Sequence, residues 1–162
     1  MAETTFLPDA NGSTKRPDVI SVLGLFTFLN TGFFILLYLL GMLGMATIGK
    51  MPVDEFAQLI HDAAGQYMPE DQMFMVDDLA RILHASGVLL MGIYLVRTIA
   101  RLVGAIGIWR GRKTGFYTYA GAQLIGLFAP HLILPWSLLG VFGPLMTVAI
   151  TAIYGSQLKR LS

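Results

Sequence analysis

Arg97 and Arg101 stand one helical turn apart inside an apolar stretch, and they are the residues in this chain best placed to do chemistry. Two guanidinium groups at that spacing can hold one anion bidentately. If Trp109 marks the inner boundary of the stretch, a rise of 1.5 Å per residue puts Arg101 about 12 Å deep and Arg97 about 18 Å deep. The same count brings Asn30, Thr31, Gln123, Thr147 and Thr151 to similar depths, so these polar residues share a layer. No Asp or Glu lies within the apolar stretches, and the layer therefore lacks an intrachain counter-ion. Arg97, Arg101, Asn30 and Gln123 form a candidate anion site for a headgroup, a fatty acid, another small anion or a partner's carboxylate. The alternative is that the stretch slides inward and the long arginine side chains snorkel to the headgroups. That register leaves a short apolar core, Ile82 to Val96, and forces Leu102 to Trp109 into water.

The histidines are the second set. His61, His84 and His131 all fall toward the opposite side, where imidazoles could hold a metal ion or, on neighbouring helices, a haem iron. No His-x-x-Glu or His-x-x-x-His spacing supports either. The chain has no cysteine, which excludes disulfides and thiolate chemistry. G-x-S-x-G, G-x-x-x-x-G-K-[ST] and G-x-G-x-x-G are also absent, so no catalytic residues and no cofactor are expected. A net charge of +1 and the lack of any nucleic-acid motif argue against a nucleic-acid partner.

The elements that must position these residues follow from hydropathy. The 162 residues are 55% hydrophobic and 13% charged, with a mean hydropathy of +0.66, more apolar than a soluble core of this size needs. Four apolar stretches are long enough to cross about 30 Å of hydrocarbon, at about 19–48, 79–109, 115–134 and 136–156. The first is about twice the length of a secretory h-region, so a retained span is expected rather than a cleaved signal. The fold class expected is an all-α four-helix membrane bundle, residues 19–162, behind a cytoplasmic tail at 1–18.

Lysine and arginine set the orientation. Lys15 and Arg16, then Arg110, Arg112 and Lys113, then Lys159 and Arg160 flank one set of ends, which places both termini in the cytoplasm. The loop at about 50–78 carries Asp54, Glu55, Asp62, Glu70, Asp71, Asp77 and Asp78 and should face outward. Within it Val53, Phe56, Ile60, Ala63 and Tyr67 recur at helical spacing, predicting an amphipathic helix that ends near Gly65 and Pro69. Glu70 or Asp71 can start the next helix, with Asp77 and Arg81 as an i, i+4 pair. Small residues such as Gly104, Gly107, Gly121 and Gly126 predict close helix packing. Pro130 and Pro144 predict kinks, and Trp109, Phe116, Tyr117, Tyr119, Tyr154 and Trp136 predict interfacial belts. No internal repeat is visible, which weakens an alternating-access transporter.

Three stretches carry a resemblance: Arg16-Pro17 leading into the first span, IGIWRGRKTGFYTYAGAQLIGLFAP from Ile106 to Pro130, and AIYGSQLKRL from Ala152 to Leu161. In them the chain resembles a family of small uncharacterised four-span bacterial inner-membrane proteins. The resemblance implies the four-span architecture and a boundary at Trp109. It implies no activity, and Arg97 and Arg101 lie outside it. The expected protein is thus a non-enzymatic accessory or scaffold protein of a bacterial cytoplasmic membrane. Its partners are membrane lipids, other membrane subunits or its own copies. The alternative is a small carrier for an anionic or lipidic ligand, followed by a haem- or metal-bearing subunit.

Overall fold

The computed structural model describes residues 6–9, 11–69 and 73–162, and every regular element within them is helical. The order is α1 (Asp18–Ile48), α2 (Val53–Ala64), α3 (Met73–Trp109), α4 (Lys113–Phe128) and α5 (Phe142–Gly155). Short 3-10 turns lie at Ala129–Leu132, Trp136–Leu139 and Leu158–Arg160. Proline punctuates this order. Pro17 and Pro52 immediately precede α1 and α2, and α1 and α3 contain no proline at all. A proline inside either would break a backbone hydrogen bond and clash with the preceding turn.

Two helices are long and apolar enough to cross a membrane, α1 with 31 residues and α3 with 37. At 1.5 Å per residue they measure about 46 and 56 Å. Only 22% and 17% of their most apolar windows are buried, whereas a core helix of a soluble protein buries most of its surface. α4 is 16 residues long and α5 is 14, or about 24 and 21 Å.

Several expectations change here. The stretch at 136–156 is not one helix: Trp136–Leu139 forms a 3-10 turn, Gly140 takes φ 61°, and α5 starts at Phe142. Pro144 does not kink α5, because it sits in the first turn, where its missing N–H has no helical partner to lose. Pro130 falls in the 3-10 turn that ends α4. The amphipathic helix forms as α2, with Phe56 buried and Gly65 at its end. Tyr67 lies beyond the helix, 86% exposed. Glu70 and Asp71 lie outside the described residues.

α3 is the central element, flanked by α1 and α4 and covered near its start by α2, while α5 packs on α4. α3 and α4 touch backbone to backbone near their connection, where a Cβ added at Gly115 would sit 2.5 Å from the carbonyl carbon of Gly107. Only glycine allows that approach. The turn itself uses Gly111 at φ 83°.

Phe6, Leu7 and Asp9 anchor the segment ahead of α1 to the rest of the molecule. Phe6 is buried with Ile20, Ile108, Tyr119, Tyr154 and Leu161 in the main core cluster. The Leu7 amide donates to the Arg110 carbonyl at 3.0 Å, the Ser162 amide donates to the Gly111 carbonyl and the Lys113 amide to the Ser162 carbonyl, both at 2.8 Å. The N-terminal segment, the α3–α4 turn and the C-terminus therefore meet at one end, bringing all three basic clusters together.

Candidate functional site

The polar layer assembles around the middle of α3. Arg97 and Arg101 project from it one turn apart and reach different neighbours. Arg97 Nη2 donates to Gln123 Oε1 on α4 at 3.2 Å, and Arg101 Nη2 donates to Asn30 Oδ1 on α1. The four candidate residues are thus brought together in two pairs, each bridging α3 to another helix. Gln123 is buried and Arg97 partly buried, while Asn30 stands at the exposed edge. Both guanidinium Nε atoms are buried without a hydrogen-bond partner among the described residues.

Gly126 makes room for Arg97. A Cβ there would lie 2.0 Å from Arg97 Nε and 2.1 Å from its Cδ, so the arginine stem lies directly across the bare α4 backbone. A cavity of about 450 Å³ opens beside it between α3 and α4 and is lined almost wholly by apolar groups, Arg97 included through its stem. Arg101 is not part of that lining.

The layer continues through residues that belt spacing had assigned to the membrane surface. Tyr119 and Tyr154 are buried to 2% and 1% exposure and meet edge to face at 5.0 Å. Gln123 Nε2 donates to the Tyr119 hydroxyl at 3.3 Å, and the Tyr154 hydroxyl shares a 3.0 Å hydrogen bond with Thr27 on α1. The i, i+4 spacing of Tyr119 and Gln123 was the available signal, since it puts both on one face of α4. Tyr38 and Tyr94 stack at 5.4 Å across α1 and α3. Thr31 and Thr151 return their hydroxyls to the carbonyls of Thr27 and Thr147, both at 2.7 Å. Such i−4 bonds satisfy a hydroxyl within its own helix.

Each histidine engages a different partner. His61 Nδ1 lies 3.0 Å from Asp77 Oδ1 and ties α2 to α3, so Asp77 faces His61, the partner on α2, rather than completing the pair expected with Arg81. His84 Nε2 donates to the Met51 carbonyl at 2.9 Å. His131 donates to the Pro135 carbonyl at 3.2 Å and stacks on Trp136 at 5.0 Å. No three His, Asp or Glu side chains among the described residues are grouped to hold a metal ion.

At the basic end, Arg16 lies 3.8 Å over the Trp109 ring, and its Nε donates to the Trp109 carbonyl at 3.0 Å. Burial lowers the Arg16 pKa from its ordinary value. Arg160 Nε stands 3.0 Å from Asp9 Oδ2, an ion pair whose N–H is not aimed along a hydrogen bond. The Ser13 and Asn11 amides donate to the other Asp9 oxygen at 2.9 Å each. The Ser13 bond, with the Asn11 bond and the Arg160 charge, holds the Asp9 pKa below the usual carboxylate value against the opposing effect of burial.

No protein-family model, curated protein or solved structure matches the chain.

Proposed function

We propose that the protein is a non-enzymatic accessory protein of a bacterial cytoplasmic membrane, a four-span bundle with both termini inside that associates with lipids or other membrane subunits. One observation carries the reading. Leu25, Phe26, Leu29, Phe33, Leu36, Leu40 and Leu43 are each more than half exposed and, at about 100° per residue, form one continuous apolar stripe along α1. An apolar surface of that extent suits lipid and not water. The meeting of the three basic clusters at one end supports the orientation, because short basic segments stay on the cytoplasmic side. α4 with its 3-10 extension and α5 with the preceding turn supply the third and fourth spans in this reading, α5 being short enough to thin the bilayer locally.

A second reading is favoured by the unpartnered Nε atoms of Arg97 and Arg101: a carrier or binding protein holding a small anion between them. The amide partners of both arginines support the first reading, since each guanidinium already bridges two helices. The absence of cysteine makes the test clean. Single cysteines at Gln66 and Ser137 should react with a membrane-impermeant maleimide on intact cells, and those at Thr14 and Lys159 only after lysis. Labelling of Ser137→Cys and Thr14→Cys from the same side would sink the four-span topology. Release of the protein from membranes by alkaline carbonate would sink the membrane assignment itself.

A further inference from the structure

We propose that the seam between α3 and α4 seats one anionic phospholipid of the inner leaflet, with its phosphate at Arg110 and Arg112 and one acyl chain along the seam. The proposal rests on the membrane reading above and adds a defined site to it.

Two hollows open on this seam. One, of about 200 Å³, is lined by Val103, Ile106, Arg110, Arg112, Thr118 and the two contacting glycines. The other, of about 450 Å³, lies deeper and is lined by Val96, Ala100, Ala122, Ile125 and the Arg97 stem. They follow one face. On α3 the residues Val96, Ala100, Val103 and Gly107 recur at steps of four, three and four, and Arg110 follows three further on in the turn that ends the helix. On α4 Gly115, Thr118, Ala122 and Ile125 do the same. Such steps keep residues on a single helical stripe, so the hollows are successive parts of one groove.

The groove is deep enough for an acyl chain of one leaflet. From Ile106 to Val96 is ten residues, about 15 Å of helix, which is half of a hydrocarbon core of about 30 Å, and the lining of the deeper hollow continues to Leu89, about 10 Å further. Small residues, Gly107, Gly115, Ala100 and Ala122, form the floor, and the exposed Val96, Val103 and Ile125 form the rims.

Charge selects the occupant. Among the described residues, no ion pair or side-chain hydrogen bond engages Arg110 or Arg112. At the same end, Arg16 is taken by Trp109 and Arg160 by Asp9. Two free guanidinium groups above an apolar channel at least one leaflet deep match a phosphate ester carrying an acyl chain better than a neutral lipid or an apolar helix.

The test is native mass spectrometry of the purified full chain released from nanodiscs of equal phosphatidylglycerol and phosphatidylcholine. Wild type should retain one phosphatidylglycerol per chain. The double variant Arg110→Gln, Arg112→Gln should retain it roughly thirtyfold less well, at about fivefold per juxtamembrane charge. Thr118→Phe, which blocks the groove and leaves every charge in place, should lose it too. Lys15→Gln with Lys159→Gln, which removes two charges from the same end away from the seam, should retain it within about twofold of wild type. Equal retention of the two lipids, loss in the lysine control equal to that in the arginine variant, an unaffected Thr118→Phe, or a co-purifying protein displaced by Thr118→Phe would each overturn the proposal. Carbonate extraction of the cell membranes from which each variant is purified separates the outcomes: a protein that resists extraction yet shows no lipid preference defeats the site alone, and one that is extracted defeats the membrane reading.

Discussion

Replacing Gln123 by Leu tests whether Arg97 is an interior clamp. Gln123 is buried and supplies the only hydrogen bond seen to the Arg97 guanidinium among the described residues, at 3.2 Å, while Arg97 Nε is already buried without a partner. A hydrogen bond to a charged group contributes about 1.5–3 kcal/mol in soluble proteins. Interhelical polar contacts in membranes average about 0.6 kcal/mol and reach about 1.7. Gln123→Leu should therefore destabilise the bundle by about 1–2 kcal/mol, part of it from the lost 3.3 Å bond to Tyr119. Tyr119→Phe isolates that part, which should be about 0.5–1 kcal/mol. Arg97→Leu alone removes a charge whose insertion costs about 2.5–3.5 kcal/mol at a helix centre, so it should be neutral or stabilising. In the double variant the Gln123 substitution strands no charge. A cycle of reversible unfolding in mixed micelles, followed through Trp109 and Trp136 fluorescence, should thus show a coupling of about 1 kcal/mol. Additivity within about 0.3 kcal/mol would mean that Arg97 does not depend on Gln123 and snorkels instead.

The Arg101–Asn30 cycle should give a coupling of about 0.5 kcal/mol or less, because Asn30 sits at the exposed edge; a larger value than for Arg97–Gln123 would reverse the order of the two pairs. Gly115→Ala puts a methyl 2.5 Å from the Gly107 backbone and should cost about 1–3 kcal/mol or block folding, read from the unfolding midpoint. Phe6→Ala should loosen the basic end by about 3–5 kcal/mol, seen as faster proteolysis ahead of α1. Because the folded pKa of Asp9 is held below 3.8, its contribution is present above the ordinary carboxylate pKa and is lost as pH falls through the depressed folded value. A fluorophore at Thr14 should report undocking on that acid limb, and Asp9→Asn should abolish the limb while leaving the neutral-pH signal less docked.

The long helices were legible because hydropathy and proline spacing speak about backbone and solvent directly. Val19 to Gly49 and Leu79 to Trp109 needed no tertiary information to be helical. That Arg97, Arg101, Asn30 and Gln123 share a layer was legible, since rise per residue converts position into height, but the pairs were not: the count puts Asn30 level with Arg97 and Gln123 level with Arg101, whereas Arg97 meets Gln123 and Arg101 meets Asn30. Depth carries no information on azimuth, however. That the two arginines reach opposite neighbours depends on how α1 and α4 flank α3, which is set by contacts such as Gly107 on Gly115. Tyr119 and Tyr154 were misread for the same reason: a tyrosine at interfacial height can point into the bundle as readily as out of it. The break at Gly140 was hidden because an apolar stretch reads as continuous whether or not its backbone turns.

The arginines themselves constrain what the bundle can be. A charged group that bridges α3 to α4 over a bare Gly126, and another that bridges α3 to α1, set the height of three helices relative to one another, since sliding any of them by a residue misaligns an amide by about 1.5 Å. Leucines on the same faces would pack equally well in many registers, because lipid-like contacts are nondirectional. The polar layer therefore acts first as a register device, and its two unpartnered Nε atoms are the remaining capacity through which an anion could act on it. Removing both amides, Asn30→Leu with Gln123→Leu, separates these roles. A bundle that keeps its midpoint but binds carboxylate detergents more tightly would make the arginines ligand groups held in reserve by the amides. A bundle that loses its single fluorescence transition and gains no anion affinity would make them locks.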